Sequence, residues 1–155
     1  MHPRKITNFK NEHPKKEFPK FRSLNPSECS IIATRVGRYF GNGDISGVKL
    51  AKYIRANARL LQDLNAESES FDFSALLHFL GMKMPAQVFL NWGHFDDIDQ
   101  METRDFADCF SDIWYPSADD IDVFDESLGW IISIGYSGQI YFSASEGLKN
   151  TLAEI

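Results

Sequence analysis

The sequence lacks several features that would assign it to well-known classes. Its two cysteines, Cys29 and Cys109, lie far apart and form no CxxC pair. Disulfide-rich secreted scaffolds and cysteine zinc sites are thereby excluded; two reduced thiols are the simpler expectation, and a single disulfide stays open. No apolar run approaches the roughly 20 residues of a membrane-spanning helix. The basic N-terminus precedes no apolar segment, so we expect a cytoplasmic protein without a secretory signal or a membrane partner.

Motifs of catalysis are also missing. The sequence contains no HExxH, no GxSxG and no cysteine–histidine nucleophile pair. The segment GNGD at residues 41–44 lacks the lysine and the spacing of a phosphate-binding loop. His78 lies in the apolar segment ALLHFL, where a core or boundary histidine is expected. We therefore predict no catalytic residue, no cofactor and no enzymatic activity.

Apolar residues are abundant enough for a packed core. The 155 residues are 43% hydrophobic and 14% aromatic, and this length suits one domain. Residues 1–24 are basic, contain three prolines and show no periodicity, which predicts an extended or partly disordered arm. Phe18 and Phe21 of this arm are expected to dock on the core. Residues 25–155 are predicted to form a single α+β domain.

Helical periodicity dominates the first half of that domain. The segment NPSE predicts a helix start, with Asn25 as N-cap, Pro26 in the first turn and Glu28 completing a capping box. Glycines 41 and 43 predict the end of this helix, and Asp44 is expected to cap the next one. The second helix is predicted from apolar residues at helical spacing: Leu50, Ile54, Ala58, Leu61 and Leu64. A short helix is predicted in SALLHFLGM, residues 74–82.

Strands are predicted mainly in the second half. The segment AQVFLNW (86–92) predicts a buried strand, and residues 96–113 predict a loop followed by an acidic helix. A β-meander then follows in DIDVF, WIISIGY and QIYFS. Alternation in DIDVF directs Asp120 and Asp122 to solvent. One face of the second meander strand carries Trp130, Ile132, Ile134 and Tyr136. The predicted fold is α+β, with N-terminal helices packed on a C-terminal, mostly antiparallel β-sheet.

Charge is segregated along the chain. Residues 1–59 hold 13 Lys and Arg against 4 Asp and Glu, whereas residues 60–155 hold 3 against 18. The window 96–126 contains 12 acids and one base, Arg104, and its tetrapeptide DDID occurs at 96–99 and again at 119–122. Clustered carboxylates repel one another. A metal, a basic partner or a gain in solubility is expected to offset that cost.

These alternatives differ in how well they fit. Neither DDID copy has the glycine and terminal glutamate of a calcium loop, so we expect no metal site. The basic residues of the arm and first helices are compatible with nucleic-acid binding, although the acidic excess elsewhere disfavours it. The basic arm can instead lie on the acidic face of its own fold. Protein recognition fits best, since aromatic side chains would anchor a basic partner and carboxylates would steer it.

Aromatic side chains near the acids complete a candidate protein-binding surface. Trp92 and Tyr115 are candidate anchors, and His94 lies in sequence between Trp92 and Asp96. Trp114 and Trp130 are either core or interface residues, since tryptophan side chains are mostly buried.

A longer pattern covers Phe110–Phe142, FSDIWYPSADDIDVFDESLGWIISIGYSGQIYF. It resembles small bacterial immunity proteins of contact-dependent growth-inhibition and polymorphic toxin systems. The shared pattern is an aromatic–proline step, a short acidic strand, a strand that begins with tryptophan, a glycine turn and a final YF strand. The segment VFLNWGHFDDID (Val88–Asp99) is similar to its companion segment. The long basic N-terminal arm departs from this pattern.

The resemblance implies a non-enzymatic protein that binds and neutralises a cognate toxin domain, often a nuclease. Such proteins act by stoichiometric blocking, and a nuclease site already accepts a polyanion. The implied toxin contacts are the acids Asp96, Asp97, Asp99, Asp119, Asp120, Asp122, Asp125 and Glu126. The alternative function is a nucleic-acid-associated regulator that uses the basic arm and the helix after it.

Overall fold

The computed structural model describes residues 1–41 and 45–146 of the chain. Within these residues the helices are α1 (Pro3–Glu12), α2 (Pro26–Phe40), α3 (Gly47–Asn57), α4 (Phe73–Phe79), α5 (Thr103–Asp108) and α6 (Phe110–Ile113). The strands are β1 (Phe21–Ser23), β2 (Arg59–Asn65), β3 (Gln87–Asn91), β4 (Ile98–Glu102), β5 (Ile121–Phe124), β6 (Trp130–Ile134) and β7 (Gln139–Ala144). The predicted Asp44 cap and the glycine at 43 lie outside the described residues.

All of these strands belong to one antiparallel sheet, in the order β1-β4-β3-β5-β6-β7-β2. Strands β5, β6 and β7 are neighbours in chain order, so the predicted meander is confirmed. The helices lie mostly in the N-terminal part and the strands mostly in the C-terminal part. The predicted α+β class is therefore correct.

Helices cover the sheet on both faces. Val36 of α2 and Leu50 of α3 pack with Phe89 and Phe124 of the sheet in one apolar cluster. Helices α4, α5 and α6 pack in a second cluster with alternate strand residues such as Val88. Because Val88 and Phe89 are adjacent on β3, their side chains point to opposite faces, and both faces are buried. The sheet is thus the middle of three layers.

The N-terminal segment contains a helix and a strand of this fold, so the expectation of an extended or partly disordered arm is wrong. Its first half is α1, and β1 pairs with β4 at the sheet edge. Phe18 and Phe21 pack against the larger apolar cluster, as predicted. The local sequence misled because its prolines do not interrupt these elements. Pro3 occupies the first turn of α1, where proline is tolerated, and Pro14 and Pro19 lie in the connection between α1 and β1.

Two other strands replace predicted helix or loop. The helix after residue 44 ends at Asn57, and Leu61 and Leu64 lie instead on β2, which pairs with β7. The segment 96–113, predicted as a loop followed by an acidic helix, contains β4, which pairs with β1. Helices α5 and α6 follow β4 in the same segment. For β2 and β4 alike, pairing with a strand distant in sequence decides the structure, and local periodicity cannot report such pairing.

Several local predictions are confirmed. Asn25 and Glu28 form the capping box of α2: each side chain accepts a hydrogen bond of 2.9 Å from the other residue's backbone N–H. Strand β3 lies within its predicted segment, and helix α4 begins at Phe73, one residue before the predicted segment 74–82, and ends within it. One local prediction is wrong: Tyr136, expected on the apolar face of β6, lies beyond that strand in an exposed turn. Both cysteines are free thiols. No helix in the described residues has the length and apolar character needed to span a membrane.

Candidate functional site

Asp99, on β4, is one of the predicted toxin contacts, and it is fully buried. Its carboxylate accepts hydrogen bonds from Ser23 Oγ (2.5 Å) and Trp92 Nε1 (2.8 Å). It also forms an ion pair with the α-ammonium group of Met1. In this structure Asp99 therefore holds the N-terminal segment against the sheet, and the prediction that it offers a surface contact is wrong.

A buried lysine from α1 organises three more predicted residues. Lys5 is only 4% exposed and forms an ion pair with Asp119. Its ammonium group lies 4.1 Å from the ring centre of Tyr115 and 5.0 Å from that of Trp92, within the range of cation–π attraction. Asp119 also accepts a 2.8 Å hydrogen bond from the backbone N–H of Tyr115. The predicted acids and aromatics do surround a cation, but the cation belongs to the same chain.

Asp122 of β5 does not face solvent, contrary to the alternation argument. It is buried in a polar row across three strands, where Asn91 Nδ2 (2.9 Å) and Ser133 Oγ (2.6 Å) donate to its carboxylate. Burial raises the pKa of Asp122, and the hydrogen bonds from Ser133 and Asn91 oppose that rise. The prediction failed because α2 and α3 cover the face that alternation assigned to water.

Asp120 lies at the surface but already has partners. It forms an ion pair with Arg55 Nη1 at 3.1 Å and accepts the backbone N–H of Tyr136 at 3.1 Å. Together with Trp92, His94 and Asp122 it lines a depression of about 430 Å³ beside α3. Because Lys52 and Arg55 also line this depression, its charge is mixed.

The other predicted contacts remain at or near the surface. His94, Asp96, Asp97 and Glu126 are exposed, and no ion pair between described residues involves them. Asp125 is half-buried and accepts hydrogen bonds from the backbone N–H and the hydroxyl of Ser127 in a turn. These residues stay candidates for a partner contact.

The two tryptophans left open by the sequence are core residues. Trp114 and Trp130 are both buried in the larger apolar cluster. Trp114 Nε1 donates to the backbone carbonyl of Asp119 at 3.1 Å, so its polar group is also satisfied inside the protein.

Part of the sequence charge asymmetry is used within the fold. Of the four ion pairs that an ammonium or guanidinium group forms among described residues, three join residues 1–59 to an acid in residues 60–155: Met1–Asp99, Lys5–Asp119 and Arg55–Asp120. His13 Nε2 also lies 3.3 Å from Asp112 Oδ1. The basic segment therefore lies against acids of its own fold, one of the arrangements that the sequence left open.

A different surface combines carboxylates with aromatics. Two adjoining depressions, of about 480 and 270 Å³, share Ser68 and Phe71 and form what we call the acidic groove. Its walls come from residues 63–79 on one side and 107–116 on the other. Among residues 1–41 and 45–146, no lysine, arginine or histidine lines it. Its acidic lining residues are Asp63, Glu67, Glu69, Asp72 and Asp108.

The groove has an aromatic floor. Phe71 and Phe110 pack with ring centres 4.7 Å apart, and Phe110 stacks on Trp114 at 5.6 Å. Phe79, at one end of the groove, is 68% exposed, the largest value among the large apolar side chains of the described residues. Asp72 caps α4 by accepting the Ala75 N–H at 3.1 Å. The other four acids form no ion pair among the described residues.

Sequence reasoning missed this groove. The segment ESESFDFS (residues 67–74) was treated only as a loop, and the window 107–116 only as part of the acidic stretch. The available signal was the repeat of acidic, small and aromatic residues in a loop, since a loop lies at the surface and carries no core-forming period.

A third depression is basic and aromatic. It has a volume of about 740 Å³, and its lining includes Arg38 and Arg59 together with the exposed rings of Tyr39 and Tyr53. It lies where α2 and α3 approach β7. Elsewhere in the described chain, Glu12, His13 and Asp112 bring three ligand-type atoms within 4.8 Å of one another.

Comparison with known proteins gave no match to any family model, curated protein or solved structure. The resemblance to immunity proteins therefore stays a prediction from the sequence.

Proposed function

We propose that this protein binds and neutralises a basic toxin domain, most simply a nuclease, and that the acidic groove is the contact surface. The observation that carries the proposal is the set of groove carboxylates that lack a counter-ion among the described residues, placed over an aromatic floor. Inhibition by stoichiometric binding requires no catalytic residue or cofactor.

The electrostatics favour a basic partner. Carboxylates without a counter-charge keep their long-range field, which raises the association rate of an oppositely charged protein. The acids of the DDID segments contribute less to this field, because four of them are buried or have partners inside the fold. The groove acids therefore supply steering that the sequence had assigned to the DDID acids.

The apolar part of the groove supplies a means of holding the partner. Interfaces gain most of their lifetime from a few well-packed aromatic or arginine anchors. Phe79 and the half-buried Phe71 offer apolar area, and the adjacent acids can accept hydrogen bonds from an arginine or lysine. Both features suit a long basic side chain whose stem lies on the aromatic floor.

The test uses the C-terminal domain of the protein encoded immediately upstream in the source genome. Titration against this chain at low and high salt should give a one-to-one complex that weakens as salt rises. The complex should also have lost the toxic activity of the domain. Absence of binding at low salt would contradict the proposal.

A matched pair of variants locates the contact. The groove variant carries Glu67→Gln, Glu69→Gln and Asp108→Asn. The control variant removes the same charge from exposed acids that the sequence favoured, through Asp96→Asn, Asp97→Asn and Glu126→Gln. We expect weaker binding in the groove variant and wild-type binding in the control.

The basic depression supports a second candidate, a nucleic-acid-associated function. Two arginines beside two exposed tyrosines combine phosphate contact with base stacking. Deleting residues 1–24 would remove β1 and α1 from the fold, so point variants are the better test. Retention of RNA or single-stranded DNA by the wild type, lost in Arg38→Gln with Arg59→Gln, would favour this candidate.

A further inference from the structure

The C-terminal end of α1 meets α6 at a cluster of three side chains. Glu12 is the last residue of α1, His13 is its C-cap, and Asp112 lies on α6. One ligand atom from each lies within 4.8 Å of the other two. The cluster is separate from the acidic groove and from the residues that surround Lys5, which are Asp119, Tyr115 and Trp92.

The distance between two of these groups suits a shared metal ion. His13 Nε2 and Asp112 Oδ1 are 3.3 Å apart, which is long for a charge-assisted hydrogen bond of about 2.7–2.9 Å. Zinc–ligand distances of about 2.0–2.2 Å and tetrahedral angles place two ligands of one ion about 3.3–3.6 Å apart. The 3.3 Å between His13 Nε2 and Asp112 Oδ1 therefore matches the spacing of two ligands on one zinc ion.

The imidazole is held in position by its surroundings. Its ring packs against Phe9 with centres 4.7 Å apart, and the His13 backbone N–H donates to the Phe9 carbonyl at 2.8 Å. Asp112 is 16% exposed, so a cation here would be partly shielded from water. Burial raises the pKa of the neighbouring Cys109 thiol, and the negative charges of Asp112, Asp105 and Asp108 add to that rise while Lys16 opposes it.

We propose that Glu12, His13 and Asp112 form a three-ligand site for a divalent transition-metal ion, with zinc as the best fit. One imidazole nitrogen and two carboxylate oxygens form a donor set that zinc accepts, and water would fill the fourth position. Bound metal would fix the end of α1 to α6, just as the Lys5–Asp119 ion pair fixes the first turn of α1 to the loop before β5. This site does not depend on the proposed toxin partner.

The experiment uses the full-length protein without an affinity tag, stripped with EDTA and titrated with zinc chloride at neutral pH. Calorimetry should show saturable uptake of one zinc per chain, and the melting temperature should rise because zinc binds the folded state. Magnesium chloride at the same concentration should leave the melting temperature unchanged, since magnesium prefers an octahedral set of oxygen ligands.

Isosteric variants identify the ligands. Asp112→Asn and Glu12→Gln should each weaken zinc binding by at least about tenfold, since even outer-shell changes cost about 10–100-fold. His94→Ala, which removes an exposed histidine elsewhere, should bind zinc like the wild type. Cys109→Ser should also bind normally, which excludes the neighbouring thiol as the ligand.

Three results would overturn the proposal: no saturable zinc uptake by the wild type, wild-type affinity in Glu12→Gln and Asp112→Asn, or a loss confined to Cys109→Ser. If Asp112→Asn fails to fold, Glu12→Gln still decides the question, because the Glu12 side chain is exposed.

Discussion

Two groups of carboxylates in this protein differ in what surrounds them. The paired group consists of Asp99, Asp119, Asp120 and Asp122, and each member has a cation or hydrogen-bond donors inside the fold. The groove group consists of Asp63, Glu67, Glu69 and Asp108, which have no ion-pair partner among the described residues. The paired group lies where acids are densest in the sequence. Density of acids along the chain therefore does not show which charges are free, because Asp108 of the groove group lies in the same dense window, 96–126.

The free-energy cost of burying a charged carboxylate explains the difference between the two groups. A carboxylate that leaves water must be matched by a cation or by hydrogen bonds, so buried acids are retained only with partners. An exposed carboxylate has no such requirement, and its charge stays available to another molecule. Four predictions test this contrast, beginning with the largest expected effect.

Replacing Lys5 with alanine should cost the most. The change leaves Asp119 mostly buried without its cation and removes both cation–π contacts, so we expect a loss of about 3–5 kcal/mol in the free energy of unfolding. Chemical denaturation measures this value. Lys10→Ala, on an exposed position of the same helix, should change stability by about 0.5 kcal/mol or less. Equal effects of the two substitutions would show that the contacts of Lys5 with Asp119, Tyr115 and Trp92 do not stabilise the fold.

Asp122→Asn should alter how stability depends on pH. Burial raises the pKa of Asp122, so the folded state binds this proton more tightly than the unfolded state does. This carboxyl therefore stabilises the fold below its unfolded pKa, and that contribution is lost as pH rises through the higher folded pKa. Relative to wild type, Asp122→Asn should become steadily more favourable from acidic to neutral pH, as measured by unfolding at several pH values. A pH-independent difference would contradict this assignment.

Arg55→Ala should have a smaller effect, because its partner Asp120 is half exposed. We expect a loss of up to about 1 kcal/mol, which added salt should diminish. Arg55 also lies 5.5 Å from the ring centre of Tyr141, so a double-mutant cycle with Asp120→Asn is needed to isolate the ion pair. A coupling energy as large as that expected at Lys5 would remove the distinction between buried and exposed pairs.

The groove variant (Glu67→Gln, Glu69→Gln, Asp108→Asn) should have the smallest effect on stability. Its acids are exposed and without ion pairs, so the free energy of unfolding should stay within about 0.5 kcal/mol of wild type. Marked destabilisation would place these acids in the paired group instead.

Elements whose signals are local were predictable from the sequence. The start of α2 was correct because Asn25, Pro26 and Glu28 interact within a single turn. Strands β2 and β4 were missed because β2 pairs with β7 and β4 pairs with β1, and each of these partners lies far away along the chain. Leu61 and Leu64 fit the helical spacing of the preceding segment, and only that distant pairing decides against a helix.

The candidate site was predictable in its chemistry but not in its location. Acids beside aromatics did indicate recognition of a cation. Nothing in the local sequence revealed that this cation would be Lys5, which contacts Trp92, Tyr115 and Asp119. Alternation assigned Asp122 to solvent because the second layer of helices is invisible in a strand pattern. The acidic groove joins two segments about 40 residues apart in sequence, so no single stretch carried its signal.

The central claim is that the groove acids steer a basic partner. Its most direct test is the association rate constant with the upstream-encoded toxin domain, measured by stopped flow over a range of salt concentrations. The groove variant should associate more slowly than wild type and show a weaker dependence on salt, whereas the control variant at 96, 97 and 126 should match wild type. Wild-type rates in the groove variant, with slowed association in the control, would contradict the account and return the interface to the acids that the sequence first favoured.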